Sequence, residues 1–180
     1  MTLRLRKNRG VTVLELAVVI VIIGILACML LPVAARIQSR ADEATCIANL
    51  KNLFVGAAGY LHDKESWPQI PNTLLKDDPK GYAKQWVAAL SRYGIPHKAW
   101  ICPAIQRERH EPMSTIEDDE TYRVDYIGMA FDDRPTSPKP ENPFPWFVES
   151  AGFHGRGNLI ILSDGNTTSL NDMVGARGGN

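Results

Sequence analysis

Residues 4–32 read RLRKNRGVTVLELAVVIVIIGILACMLLP, and this stretch decides how the rest of the chain is organised. Four basic side chains, Arg4, Arg6, Lys7 and Arg9, are followed by a long apolar run that carries a single carboxylate, Glu15, near its start. From Leu16 to Ala35 no residue is charged. At about 1.5 Å per helical residue such a run crosses the ~30 Å hydrocarbon core of a bilayer. The positive charges ahead of it predict a cytoplasmic N-terminus and a C-terminal bulk on the other side. A cleavable secretory signal is the competing reading, with Val33-Ala34-Ala35 as a small-residue cut site and a mature chain beginning at Arg36. Glu15 and the length of the run both count against it.

A carboxylate at the edge of a membrane run has two explanations. It is shallow enough to stay hydrated, or it has a positive partner. Cutting the chain between Gly10 and Val11 would create such a partner. The new α-amino group lies four residues from Glu15, about one helical turn away.

These residues resemble the N-terminal signature of type IV pilins and type II secretion pseudopilins: a short basic leader ending in glycine, then an apolar helix with glutamate at its fifth position. The resemblance implies that a prepilin peptidase cuts after Gly10 and methylates the amine of Val11. It implies that Glu15 pairs with the Val11 amine of a neighbouring subunit during filament assembly. Pro32 falls where pilins commonly carry a helix-kinking proline. Val11 and Val13 depart from the usual phenylalanine and leucine of that signature. The localisation implied is the bacterial inner membrane, single-pass, with a periplasmic head. The implied partners are the peptidase, identical or related pilin-like subunits and an inner-membrane assembly platform.

Beyond Pro32 the helical period continues. Ile47, Leu50, Phe54, Ala57 and Leu61 advance by threes and fours, with Ile37, Ala41, Ala44 and Ala48 as a second row. Arg36, Arg40, Asp42, Glu43, Asn49, Lys51 and Asn52 are assigned to the other faces, an amphipathic pattern. Gly56 and Gly59 weaken the helix, so its end is predicted near residues 59–63. The domain plan is therefore a leader at 1–10, a transmembrane and assembly helix at 11–35, an amphipathic continuation at 36–63 and a globular head at 64–180.

In the head, SWPQIP reads as loop and Gly81–Tyr93 as a helix, with Asp77-Asp78-Pro79 ahead of it and Gly94 as its stop. Tyr82, Trp86, Ala89, Leu90 and Tyr93 share its apolar face. TYRVDYIGMAF and NLIILS read as strands, the second followed by an Asp164-Gly165 turn. Residues 135–145 hold five prolines and read as an extended surface loop unable to supply a central strand. The final GARGGN reads as a mobile tail. No internal repeat is present. The fold class predicted is α+β and pilin-like, a long N-terminal helix packed on a small antiparallel sheet.

Several chemistries are weighed and set aside. The basic and acidic side chains number 20 each, but four basic ones precede Val11 and no acid does, so the remainder is net negative and lacks a nucleic-acid footprint. The histidines His62, His97, His110 and His154 are scattered, no CxxC pair exists, and no GxSxG elbow accompanies Ser163. A ~20 Å strand separates His154 from Asp164. The chain therefore reads as non-enzymatic, with no cofactor. Glu117, Asp118, Asp119, Glu120, Asp125, Asp132, Asp133 and Asp164 offer hard oxygen ligands, so calcium at Asp132, Asp133 or Asp164 is the alternative to a solvated acidic face.

Of three cysteines, Cys28 lies in the apolar run. Cys46 and Cys102 lie outside the membrane, where a bridge persists. A disulfide between them and a pair of buried thiols are both compatible with the sequence. A second resemblance is to pilin-like proteins with a C-terminal H-X9-DG processing-associated domain, carried by His154 and Asp164-Gly165 in HGRGNLIILSDG, CIANLKNL at 46–53 and ICPA at 101–104. It places His154, Asp164 and Gly165 in a family motif, though Asn166 stands where members often carry histidine. The function implied is a filament subunit of a type IV pilus or a secretion pseudopilus. A membrane-anchored extracytoplasmic ligand-binding protein that does not polymerise is the alternative.

Overall fold

The computed structural model describes residues 12–112, 121–131, 143–153 and 157–177. The chain divides into two units, Met1–Gln38 and Ser39–Asn180. Helix α1, Val13–Lys64, supplies the first and enters the second. It runs past Pro32 without ending and stops one residue beyond the predicted range, where Glu65 takes a left-handed φ of 52°.

Within the second unit follow α2 (Leu74–Asp77), α3 (Pro79–Ser91), a 3-10 turn (His97–Trp100) and α4 (Pro103–Glu108). Strands β1 (Tyr126–Gly128), β2 (Pro145–Glu149), β3 (Leu159–Leu162) and β4 (Thr167–Ser169) precede the final helix α5 (Leu170–Arg177). The strands form one antiparallel meander in sequence order. The fold is α+β and pilin-like: a long N-terminal helix and a small four-stranded antiparallel sheet.

Helix α3 starts two residues earlier than its apolar period suggests. Asp78 caps it by accepting the Gly81 N–H at 2.9 Å, and Pro79 fills the first turn, where the missing donor costs nothing. At its end Gly94 (φ 80°) lets the Ile95 N–H reach back to the Leu90 carbonyl at 3.4 Å.

The proline-rich stretch needs correction at its C-terminal end. Pro145 opens β2, an interior strand between β1 and β3. Proline is tolerated as the first residue of a strand, and the register shifts between Pro145 and Phe147, so the missing donor interrupts no regular ladder. The reading of GARGGN as a tail is also revised, because α5 extends through Arg177.

All four tryptophans lie in one core. Phe147 sits 5.9 Å from Trp67, 5.5 Å from Trp86 and 5.7 Å from Trp100, ring centre to ring centre, and Trp146 lies 4.9 Å from Trp67. Trp67 comes from the loop after α1 and is fully buried, and its indole N–H donates to the Met129 carbonyl at 2.8 Å.

Candidate assembly helix and its anchorage in the head

The N-terminal part of α1 is long and apolar enough to cross a membrane. Its large side chains from Val13 to Val33 are exposed along the whole stretch, with no stripe turned inward. Glu15 sits in the first turn. Thr12 precedes the helix, and its Oγ1 accepts the Glu15 N–H at 3.2 Å while its carbonyl accepts from Leu16 at 3.1 Å. Thr12 is thus the N-cap, a role the membrane reading passes over. The Thr-x-x-Glu spacing is the signal that reveals it. A carboxylate at this position also faces the positive end of the helix dipole. Gly10 and Val11 lie outside the described residues.

Past Ser39, one face of α1 is buried, and it is not quite the face the apolar rows suggest. Asp42, Cys46, Leu50, Leu53 and Ala57 are buried, whereas Ala41, Ala44 and Ala48 are exposed, as is Ile37 further back. The physical reason is that two polar positions on the buried face have partners. Asp42 is held by a two-pronged ion pair with Arg107 of α4, one prong of which measures 2.8 Å. That pairing holds the Arg107 guanidinium pKa above its usual value. Asn49 donates to the Ile101 carbonyl at 3.0 Å.

Gly56 has its own explanation. A Cβ there would meet Ile95 at 2.4 Å, so the residue that weakens the isolated helix lets it seat against the loop after α3.

Cys46 and Cys102 are brought together. Their sulfurs lie 2.7 Å apart, and both residues are fully buried. The Cys102 N–H donates to Asp125 Oδ2 at 2.9 Å, and Arg123 Nε donates to Asp125 Oδ1 at 2.9 Å. Arg123 pairs also with Glu111. Burial raises the Asp125 pKa, and Arg123 opposes the shift. Tyr126, buried beside the two cysteines, has its hydroxyl pKa pushed up by desolvation.

The Asp164-Gly165 pair makes the β3–β4 turn. Asp164 accepts from the Asn166 backbone at 2.9 Å and from its side-chain amide at 2.8 Å. Gly165 holds φ 80°, and a Cβ there would lie 3.2 Å from Phe54 of α1. The Asp164-Gly165 pair therefore has a structural reason: it closes a tight turn against the helix. His154, Asp132 and Asp133 lie outside the described residues. Among the described histidines, His62 and His110 are exposed, while His97 stacks on Tyr122 at 4.0 Å and its Nε2 contacts the Arg123 carbonyl at 2.7 Å. These three histidines lie apart on α1, on the 3-10 turn and just after α4.

Comparison with known proteins gives one informative relative. Over 68 residues, 38% of this chain, the sequence is 32% identical to the type IV major pilin protein PilA of Myxococcus xanthus (strain DK1622). The match covers 31% of that pilin, about a third of its length. This weak homology supports a relationship to the pilin family. No protein-family model matches the chain, and no solved structure matches it. The homology, and one helix among the described residues that is long and apolar enough to cross a membrane, fit a membrane-anchored pilus-type subunit.

Proposed function

We propose that this chain is a structural filament subunit of type IV pilus-like architecture, processed by a prepilin peptidase after Gly10 and assembled through α1. The carrying observation is an apolar helix exposed on all sides with one carboxylate, Glu15, in its first turn. Such a surface is stable only inside a second apolar environment. A bilayer supplies one, and the packed helices of a filament supply another. Transfer from the first to the second, at an inner-membrane assembly platform, conserves apolar burial and leaves Glu15 to be neutralised. The amine of Val11 on a neighbouring subunit, N-methylated after cleavage, is the proposed partner. Because an ion pair in a low-dielectric helix bundle is offset by desolvation, its principal effect is on axial register rather than net stability. The pilus reading is favoured over a secretion pseudopilus by the relative being a major pilin.

The test is to substitute Glu15→Ala and quantify filaments sheared from cells alongside the membrane-bound pool. The expected result is normal anchoring with filaments lost; undiminished filaments would sink the role assigned to Glu15. Gly10→Ala should leave an uncut precursor by intact mass, and normal cleavage would reject the processing site.

A further inference from the structure

One reactive cluster in the head is not accounted for by assembly. Cys46 comes from α1 and Cys102 from the segment entering α4, and their sulfurs are in direct contact at 2.7 Å. A carboxylate oxygen of Glu149 lies within 4.8 Å of both, and all three residues are fully buried. Two chemistries use such a group: metal ligation and disulfide formation.

Metal ligation fits poorly. Thiolates about 2.3 Å from a tetrahedral zinc ion stand roughly 3.7 Å apart, and structural sites use four protein ligands. Here the sulfurs are closer, and the group offers three ligands among the described residues. Glu149 is also engaged already, since its Oε2 accepts the Leu159 N–H at 3.2 Å. The surroundings hold both cysteines from either side. The Cys102 amide is fixed by Asp125, and Asn49, one turn beyond Cys46 on α1, holds the carbonyl of Ile101.

We propose that Cys46 and Cys102 close an intramolecular disulfide that clamps the second part of α1 to the head. The oxidant is of the disulfide class, a thiol–disulfide oxidoreductase or oxidised glutathione. One cysteine thiolate attacks the oxidant's S–S bond and expels one of its sulfurs as thiolate. The other cysteine then attacks the mixed disulfide and expels the second. Two protons and two electrons leave the cysteine pair, and the oxidant is reduced to two thiols. Since the finished head encloses both sulfurs, the exchange takes place during folding. Persistence of the bond in the cell rests on the proposed extracytoplasmic head; its geometry does not.

The full chain in detergent, denatured, reduced and refolded with oxidised glutathione, is alkylated and peptide-mapped. The expected product is a peptide pair joining Cys46 to Cys102 and separated by reductant, with Cys28 alkylated. Alkylation of all three cysteines, a bridge through Cys28, or retained zinc with both thiols reduced would overturn the proposal. The Cys46→Ala/Cys102→Ala double variant should melt below the oxidised protein and be indifferent to reductant; equal melting temperatures would also overturn the clamp. Cell envelopes quenched in acid, then denatured and alkylated without reductant, separate the two ideas. Reduced thiols there, alongside a bond formed on refolding, reject the extracytoplasmic head and leave the clamp standing.

Discussion

Between Val13 and Val33 the large apolar side chains of α1 are 48–86% exposed, whereas Asp42, Cys46, Leu50, Leu53 and Ala57 on the same helix are at most 5% exposed. Backbone geometry is common to both stretches, so the contrast lies in how side chains are distributed around the axis. The first stretch is apolar all round and no single protein face can cover it. The second carries one narrow stripe, and that stripe includes a carboxylate because Arg107 is there to receive it. A helix that is uniformly apolar demands a surrounding medium; one that is apolar on a stripe demands a partner.

The largest effect that separates the two regions is expected from Trp86→Ala. Removing a fully buried indole from the aromatic core costs about 3–5 kcal/mol, so the head should unfold at markedly lower denaturant while membrane partition is unchanged. The converse substitution is Ile22→Arg, a charge placed mid-run. It should cost about 2.5–3.5 kcal/mol of membrane insertion and leave the melting of the head untouched, as alkaline extraction of membranes beside thermal melts would show. Coupled effects of either change on the other region would break the comparison.

Asp125→Ala is the third in size. It strips the Cys102 amide of its acceptor in a buried site, which costs about 1–3 kcal/mol, and Asp125→Asn should cost less because an acceptor remains. The two variants also differ in pH dependence. Burial raises the Asp125 pKa above its unfolded value near 3.9. The folded head therefore keeps this proton where the unfolded chain has lost it. Its contribution to stability falls as pH rises from about 4 through the raised value. Asparagine should abolish that slope in urea midpoints measured across pH. The smallest effect is Asp78→Ala, which removes the α3 cap and should lower head stability by about 1 kcal/mol.

Much of this was legible in the residues. The apolar run, the length of α1, the cap and stop of α3 and the β3 strand all follow from local pattern, because each depends on residues within a few positions. Three features were not. The buried face of α1 is chosen by Arg107, Ile101 and Cys102, about fifty to sixty-five positions away. β2 hides behind prolines whose composition signals loop, and its strand character comes from its neighbours. Trp67 lies in a segment that is irregular in backbone yet central in packing. At the start of α1, Glu15 was conspicuous in the sequence while Thr12, whose hydroxyl accepts the Glu15 N–H, was overlooked as a cap, since the membrane reading already accounted for the region.

The aromatic core has an optical consequence. All four tryptophans are buried in the head, and the indole nitrogens of Trp86, Trp100 and Trp146 have no hydrogen-bond acceptor among the described residues. Their emission should be blue-shifted in the folded protein and move to the red only when the head opens. The apolar run carries no tryptophan, so the natural fluorescence of the chain reports on one region and is silent on the other, with no label attached.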